Sequence, residues 1–163
     1  MRWADGRKRN LRVTDMTVTR RQAREWAVQM LTAADLNPPE DVGSFIASEW
    51  EQLASEDESA GNPGKKMKAF TEERVSGVLL GIAGIDEALG RLLENWDLYR
   101  LGTVERAVLR MGIWEMGHTD VPHPVIINEA VDLSNWFSSP SSRSIVNGIL
   151  DKYSKTLTAG NHS

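Results

Sequence analysis

Three arginines, Arg20, Arg21 and Arg24, fall within the opening turns of what reads as the first helix of the chain. A guanidinium grips phosphate through a two-pronged fork and also stacks on unpaired bases, so a cluster of this kind suits single-stranded RNA. Helical spacing puts Arg20 and Arg24 on one side with Arg21 adjacent, and positive charge at a helix N-terminus runs against the macrodipole. A polyanionic ligand would relieve that conflict. The cluster closes a basic segment. Residues 1–24 hold Arg2, Arg7, Lys8, Arg9, Arg12, Arg20, Arg21 and Arg24 against Asp5 and Asp15, a balance of +6, which leaves −10 for the rest of a chain whose net charge is −4. A basic arm on an acidic body points to a polyanion contact at one end and protein contacts elsewhere. A purely solubilising arm is the competing reading on charge alone.

Other chemistry is sparse. No cysteine is present, which removes thiol nucleophiles, cysteine-zinc sites and disulfides and fits a reducing cytoplasm. His118, His123 and His162 share no metal-ligand spacing with carboxylates and read as solvated loop residues. Glycines 81, 84 and 90 lie in a helical pattern without a preceding strand or a GK[ST] signature, so they read as small packing residues, not a phosphate cradle. Glu72 and Glu73 are placed at a helix start, where the dipole favours them. Asn128 and Glu129 sit early in an apolar helix, where a structural role, tying down residues 121–125, is the expectation. Arg106 and Arg110, four apart on one helix, read either as surface residues paired with Glu105 or other carboxylates or as an RNA contact. Nothing assembles a nucleophile, a base and an orienting group, so neither an enzyme nor a metal or cofactor is expected.

The elements that would carry these residues are helices. Ala23, Trp26, Ala27, Met30, Leu31 and Ala34 form one apolar stripe capped by Thr19 and ended by Asn37-Pro38-Pro39. A second helix spans about 40–54, burying Val42, Phe45, Ile46, Trp50 and Leu53. The charged, Gly- and Pro-containing stretch around 55–66 reads as an exposed loop. Thr71 is the expected N-cap of the next stripe, Val75 to Leu92, with weak points at Gly81 and Gly84 that allow one bent helix or two. Thr103 caps a helix burying Val104, Ala107, Val108, Met111 and Trp114. Pro124 stands in the first turn of the one after it, and Ser141 or Ser142 caps the last, which carries Val146, Ile149, Leu150, Tyr153 and Leu157. Tryptophans 26, 50, 96, 114 and 136 fall on apolar positions and count as core. The class is all-α, about seven helices in two packed helical subdomains, with residues 1–18 a basic, disordered extension, 19–157 the helical domain and 158–163 a frayed tail. No run is long and apolar enough to span a bilayer, and the first residues lack the apolar stretch of a secretory signal, so a cytoplasmic protein is expected.

Four ordered blocks carry a family resemblance: residues 21–31 (RQAREWAVQML), 96–116 (WDLYRLGTVERAVLRMGIWEM), 121–131 (VPHPVIINEAV) and 145–151 (IVNGILD). Together they resemble the NusB family of bacterial transcription antitermination factors. The resemblance implies an all-helical fold and an activity of binding alone: pairing with NusE, a small-subunit ribosomal protein, to hold single-stranded boxA RNA. It also implies an indirect place, with other Nus factors, on RNA polymerase at ribosomal RNA operons. It maps RNA contact onto Arg20, Arg21 and Arg24 and, before the last helix, onto Ser141, Arg143 and Ile145. Partner contact maps onto Thr32 and Glu105. The chain departs from the family in having Thr32 where an aromatic residue is common and Ile145 where phenylalanine is usual; the second change removes base stacking and keeps a core role. A homodimer is compatible with the sequence. The alternative is a helical protein-interaction module with a solubilising arm and no RNA affinity.

Overall fold

The computed structural model describes residues 18–94, 97–137 and 140–160. Residues 1–17 of the expected 1–18 extension, Trp96 and residues 161–163 lie outside them, as does the side chain of Trp136, while Val18 is described and buried. Eight α-helices follow one another among the described residues: α1 (Arg20–Leu36), α2 (Val42–Glu56), α3 (Glu58–Gly61), α4 (Lys65–Leu80), α5 (Ile82–Leu93), α6 (Thr103–His118), α7 (His123–Phe137) and α8 (Pro140–Gly160). One 3-10 turn, Leu98–Arg100, precedes α6.

α1 begins as its sequence dictates: the Thr19 side chain accepts from the Gln22 amide at 3.1 Å and satisfies one of the orphan donors of the first turn. Its expected stripe is buried, and so is Val28 on another side, because α4 and α6 both pack on it. α6 is likewise enclosed, by α1, α4, α5, α7 and α8. These two axial helices run antiparallel, as the pairs Arg24–Glu115 and Asp35–Arg106 require. One continuous apolar core, from Trp26 and Met30 through Val78 and Leu89 to Leu109, Leu133 and Leu150, runs through both halves of the chain. α4 comes so near α6 that a Cβ on Gly77 would collide with the Trp114 indole. Any side chain at position 77 would push those helices apart.

Several local expectations are corrected. The stretch at 55–66 is not a loop throughout: α2 continues to Glu56, and Asp57 caps the short α3. α4 starts at Lys65 behind Gly64, whose φ of 81° belongs to glycine. Thr71 is therefore not a cap but a buried mid-helix residue, whose hydroxyl donates to the Ala23 carbonyl at 3.0 Å. Glu72 sits mid-helix too and accepts from the Trp50 indole at 2.7 Å. α4 and α5 are two helices that meet at Gly81. α8 opens at Pro140, which puts Ser141 and Ser142 in its first turn, one step inside the expected cap.

Candidate nucleic-acid interface

The three arginines of α1 have three different surroundings. Arg20 is exposed and has no carboxylate partner among the described residues. Arg21, its side chain one-third exposed, donates from Nε to Glu129 at 2.8 Å and from Nη2 to Asp132 at 2.7 Å. The Glu129 hydrogen bond raises the Arg21 pKa above the ordinary arginine value; partial burial opposes it and Asp132 adds to it. Arg24 is 3% exposed and forks onto Glu115, Nε to Oε1 at 3.0 Å and Nη2 to Oε2 at 2.8 Å.

Arg24 is thus a correction to the expected RNA-contacting set. It shares a side of α1 with Arg20, but four residues on that side passes beneath α4 and α6. Arg74 from α4 reaches the same Glu115 at 3.2 Å and lies over the Phe70 ring, 3.4 Å from its centroid. Burial pushes the Arg74 pKa down, with Glu115 opposing. The dipole conflict that suggested a ligand is met in large part from within, by Glu115, Glu129 and Asp132. Glu129 accordingly ties α7 to α1, not the connection at 121–125.

A second ionic group was missed in the sequence. Asp35 of α1 accepts from Arg106 (Nε 3.0 Å, Nη2 2.6 Å) and from Arg110 (Nη1, 3.0 Å), while Arg110 also forks onto Asp86 of α5 at 2.8 and 2.9 Å. Arg106 and Arg110 are 7% and 3% exposed, so they are not the surface residues expected. The available signal was that they interrupt a helix apolar on every side, where a charged residue needs a buried partner.

At the other end of α6, Ser141 and Arg143 are exposed in the opening of α8, and Arg143 has no carboxylate partner among the described residues. Ile145 packs against the core from the side and lines an open groove of about 360 Å³ with Leu92, Gly148 and Lys152. Ser142, between the exposed pair, is 5% exposed and donates to Glu105 Oε1 at 2.6 Å. Glu105 is half-buried by that contact. Thr32 is 7% exposed and donates to the Val28 carbonyl at 2.8 Å, so its hydroxyl is spent inside α1 and is a correction to the expected partner face. Glu115 and Glu105 lie ten residues apart on α6, which separates the α1 start from the α8 start by about 15 Å along that axis. The two expected RNA-contact groups therefore stand at opposite ends of one helix.

His118 closes α6, stacked on Trp114 with ring centroids 5.1 Å apart, and His123 meets the Ser154 hydroxyl at 2.7 Å. Among the described residues no group of three or more His, Asp or Glu is placed to hold a metal ion, and no helix is long and apolar enough to cross a membrane.

Comparison with known proteins adds to this geometry. The NusB family model matches residues 21–155. The transcription antitermination protein NusB of Syntrophotalea carbinolica is 35% identical over 146 residues, covering 84% of this chain and 92% of that protein. The solved NusB of T. maritima superposes with a TM-score of 0.73 at 31% identity, over 85% of this chain and 92% of that one. A solved complex of the antitermination factors NusB and NusE with double-stranded RNA shares the fold, with a TM-score of 0.71 at 24% identity over 84% and 96% of the two chains.

Proposed function

The chain belongs to the NusB family, and from that premise we propose that it is a transcription antitermination factor. In this reading it joins NusE, binds single-stranded boxA-type RNA with it, and reaches RNA polymerase through other Nus factors, notably at ribosomal RNA operons in the cytoplasm. The work is binding, without catalysis. The observation that carries the reading is the match across 21–155, nearly the whole span of the described residues, to a family whose relatives bear that name.

The geometry supports a narrower contact set than the arginine count suggests. Exposed Arg20 at the α1 start and Arg143 at the α8 start are available to phosphate, Ser141 lies exposed beside Arg143, and Arg21 adds a partly screened charge. Glu105 remains the candidate partner contact on α6, with Ser142 holding its carboxylate.

Titration of a boxA-type oligonucleotide against a scrambled control, with and without NusE, tests the reading. Preferential binding that tightens on adding NusE is expected. Equal, weak affinity for both RNAs in the presence of NusE would overturn it. The internal neutralisation of Arg21 and Arg24 favours one competing reading, a helical protein-interaction module without RNA affinity; that module would co-sediment with a protein partner and leave both RNAs unbound.

A further inference from the structure

The start of α4 gathers cations outside the contact set above. Lys65, Lys66 and Lys68 occupy its opening turn; all three are exposed and have no carboxylate partner among the described residues. Glu72, one turn beyond Lys68, is engaged by the Trp50 indole. α1 and α4 begin side by side and run in the same direction. Thr71 donates to the Ala23 carbonyl across an offset of 48 residues, and the same offset sets Lys68 level with Arg20. Val18, just ahead of α1, shares an open cleft of about 500 Å³ with Asn62, Gly64, Lys65 and Lys66. Four exposed cations from two helices thus meet at one end of the molecule.

Their placement does nothing for the fold. Three positive charges in a helix's first turn oppose the macrodipole and one another, and Gly64 offers no side-chain cap. Such a group gains most from a polyanion lying across it.

We propose that Lys65, Lys66 and Lys68 join Arg20 in one surface that tracks the phosphates of single-stranded RNA past the α1 start. The inference rests on the RNA-binding reading and deepens it. An ammonium is a point charge without the fork that reads a base edge, so this surface adds affinity and no sequence preference.

A Lys65→Gln, Lys66→Gln, Lys68→Gln variant tests it by anisotropy titration of labelled boxA-type and scrambled RNA over a salt series, beside Arg20→Ala and wild type. The triple variant is expected to bind both RNAs about tenfold more weakly at 0.1 M salt and to lower the slope of log affinity on log salt by about 2. Three Lys→Arg replacements retain both values, which separates lost charge from lost structure. An unchanged slope in the triple variant, with Arg20→Ala still weakening RNA, overturns the inference and leaves the RNA reading standing. Wild type without RNA affinity overturns both. Weakened NusE binding with unchanged RNA binding assigns the lysines to a protein partner and overturns the inference as well.

Discussion

The α1–α6 seam and the open end where α1 and α4 begin use the same kind of residue to opposite ends. In the seam, Arg24, Arg74, Arg106 and Arg110 are nearly sealed from water and share Glu115, Asp35 and Asp86. At the open end, Arg20, Lys65, Lys66 and Lys68 face solvent without partners among the described residues. A buried guanidinium must have its carboxylate within the fold, since desolvation costs several kcal/mol per ion. An exposed cation carries no such debt and remains available to a ligand. Charge type says little about role here; the helix lying opposite decides it.

The comparison breaks first at Glu115. It is 1% exposed and accepts from two buried guanidiniums, so Glu115→Ala strands two charges and should cost about 3–5 kcal/mol. Urea denaturation checks this, and a loss under about 1 kcal/mol would mean that water reaches the seam. Replacing Arg24 and Arg74 by Met together with Glu115→Leu should recover most of the loss, because an apolar set of similar volume does not need the ions.

Asp35 comes next. Burial raises its pKa, but hydrogen bonds from Arg106 and then Arg110, with their charges, outweigh burial and hold it below the ordinary carboxylate range. A folded pKa below the unfolded value means that the stabilisation is present above about pH 4 and is lost as pH falls through the folded pKa. Asp35→Asn should therefore cost about 1–3 kcal/mol at neutral pH, Arg110 keeping Asp86. The gap to wild type should close on acidification. Melting curves between neutral pH and pH 3 decide it: a gap that holds constant with pH would remove Asp35's charge from the account.

The same contrast explains what could be read from the residues in order. The stripe of α1, its Thr19 cap and the apolar positions of α6 follow from period and chemistry local to each helix, and the structure buries them as expected. Arg24 is different, because its fate depends on Glu115, 91 residues away, and no local pattern encodes which helix will lie above it. Thr71 looked like a cap because a Thr-Glu-Glu sequence is one when nothing helical precedes it; Gly64, through its positive φ, starts the helix earlier and turns Thr71 inward. The lysines of α4 are hidden by the same misplacement, since a helix start set at Thr71 leaves all three ahead of any element that could be aligned with Arg20. Arg106 and Arg110 carry the clearest unread signal, two positive charges on a helix whose apolar residues fall on every side.

Between the two regions stands Arg21, one-third exposed and bridged to Glu129 and Asp132. Water screens such a pair, so Arg21→Ala should cost only about 1 kcal/mol in denaturation, and it should weaken RNA less than Arg20→Ala does. A cost near that of Glu115→Ala would move the boundary of the seam outward to α7.

The smallest stability effect belongs to the exposed cations, and it sharpens the comparison most. Arg20→Ala and Arg143→Ala should each leave folding within about 0.5 kcal/mol of wild type while lowering RNA affinity and flattening its salt dependence by about 0.7 per lost contact. Arg24→Ala should do the reverse in its primary effect, destabilising the fold because Glu115 then keeps only the Arg74 contact. Measured on one preparation at matched temperature, the three variants separate a ligand-facing arginine from a fold-facing one. If Arg24→Ala left stability intact and cost more RNA affinity than Arg20→Ala, the guanidinium would have to leave Glu115 for the ligand, and the division between seam and surface would fail at the residue on which it was drawn.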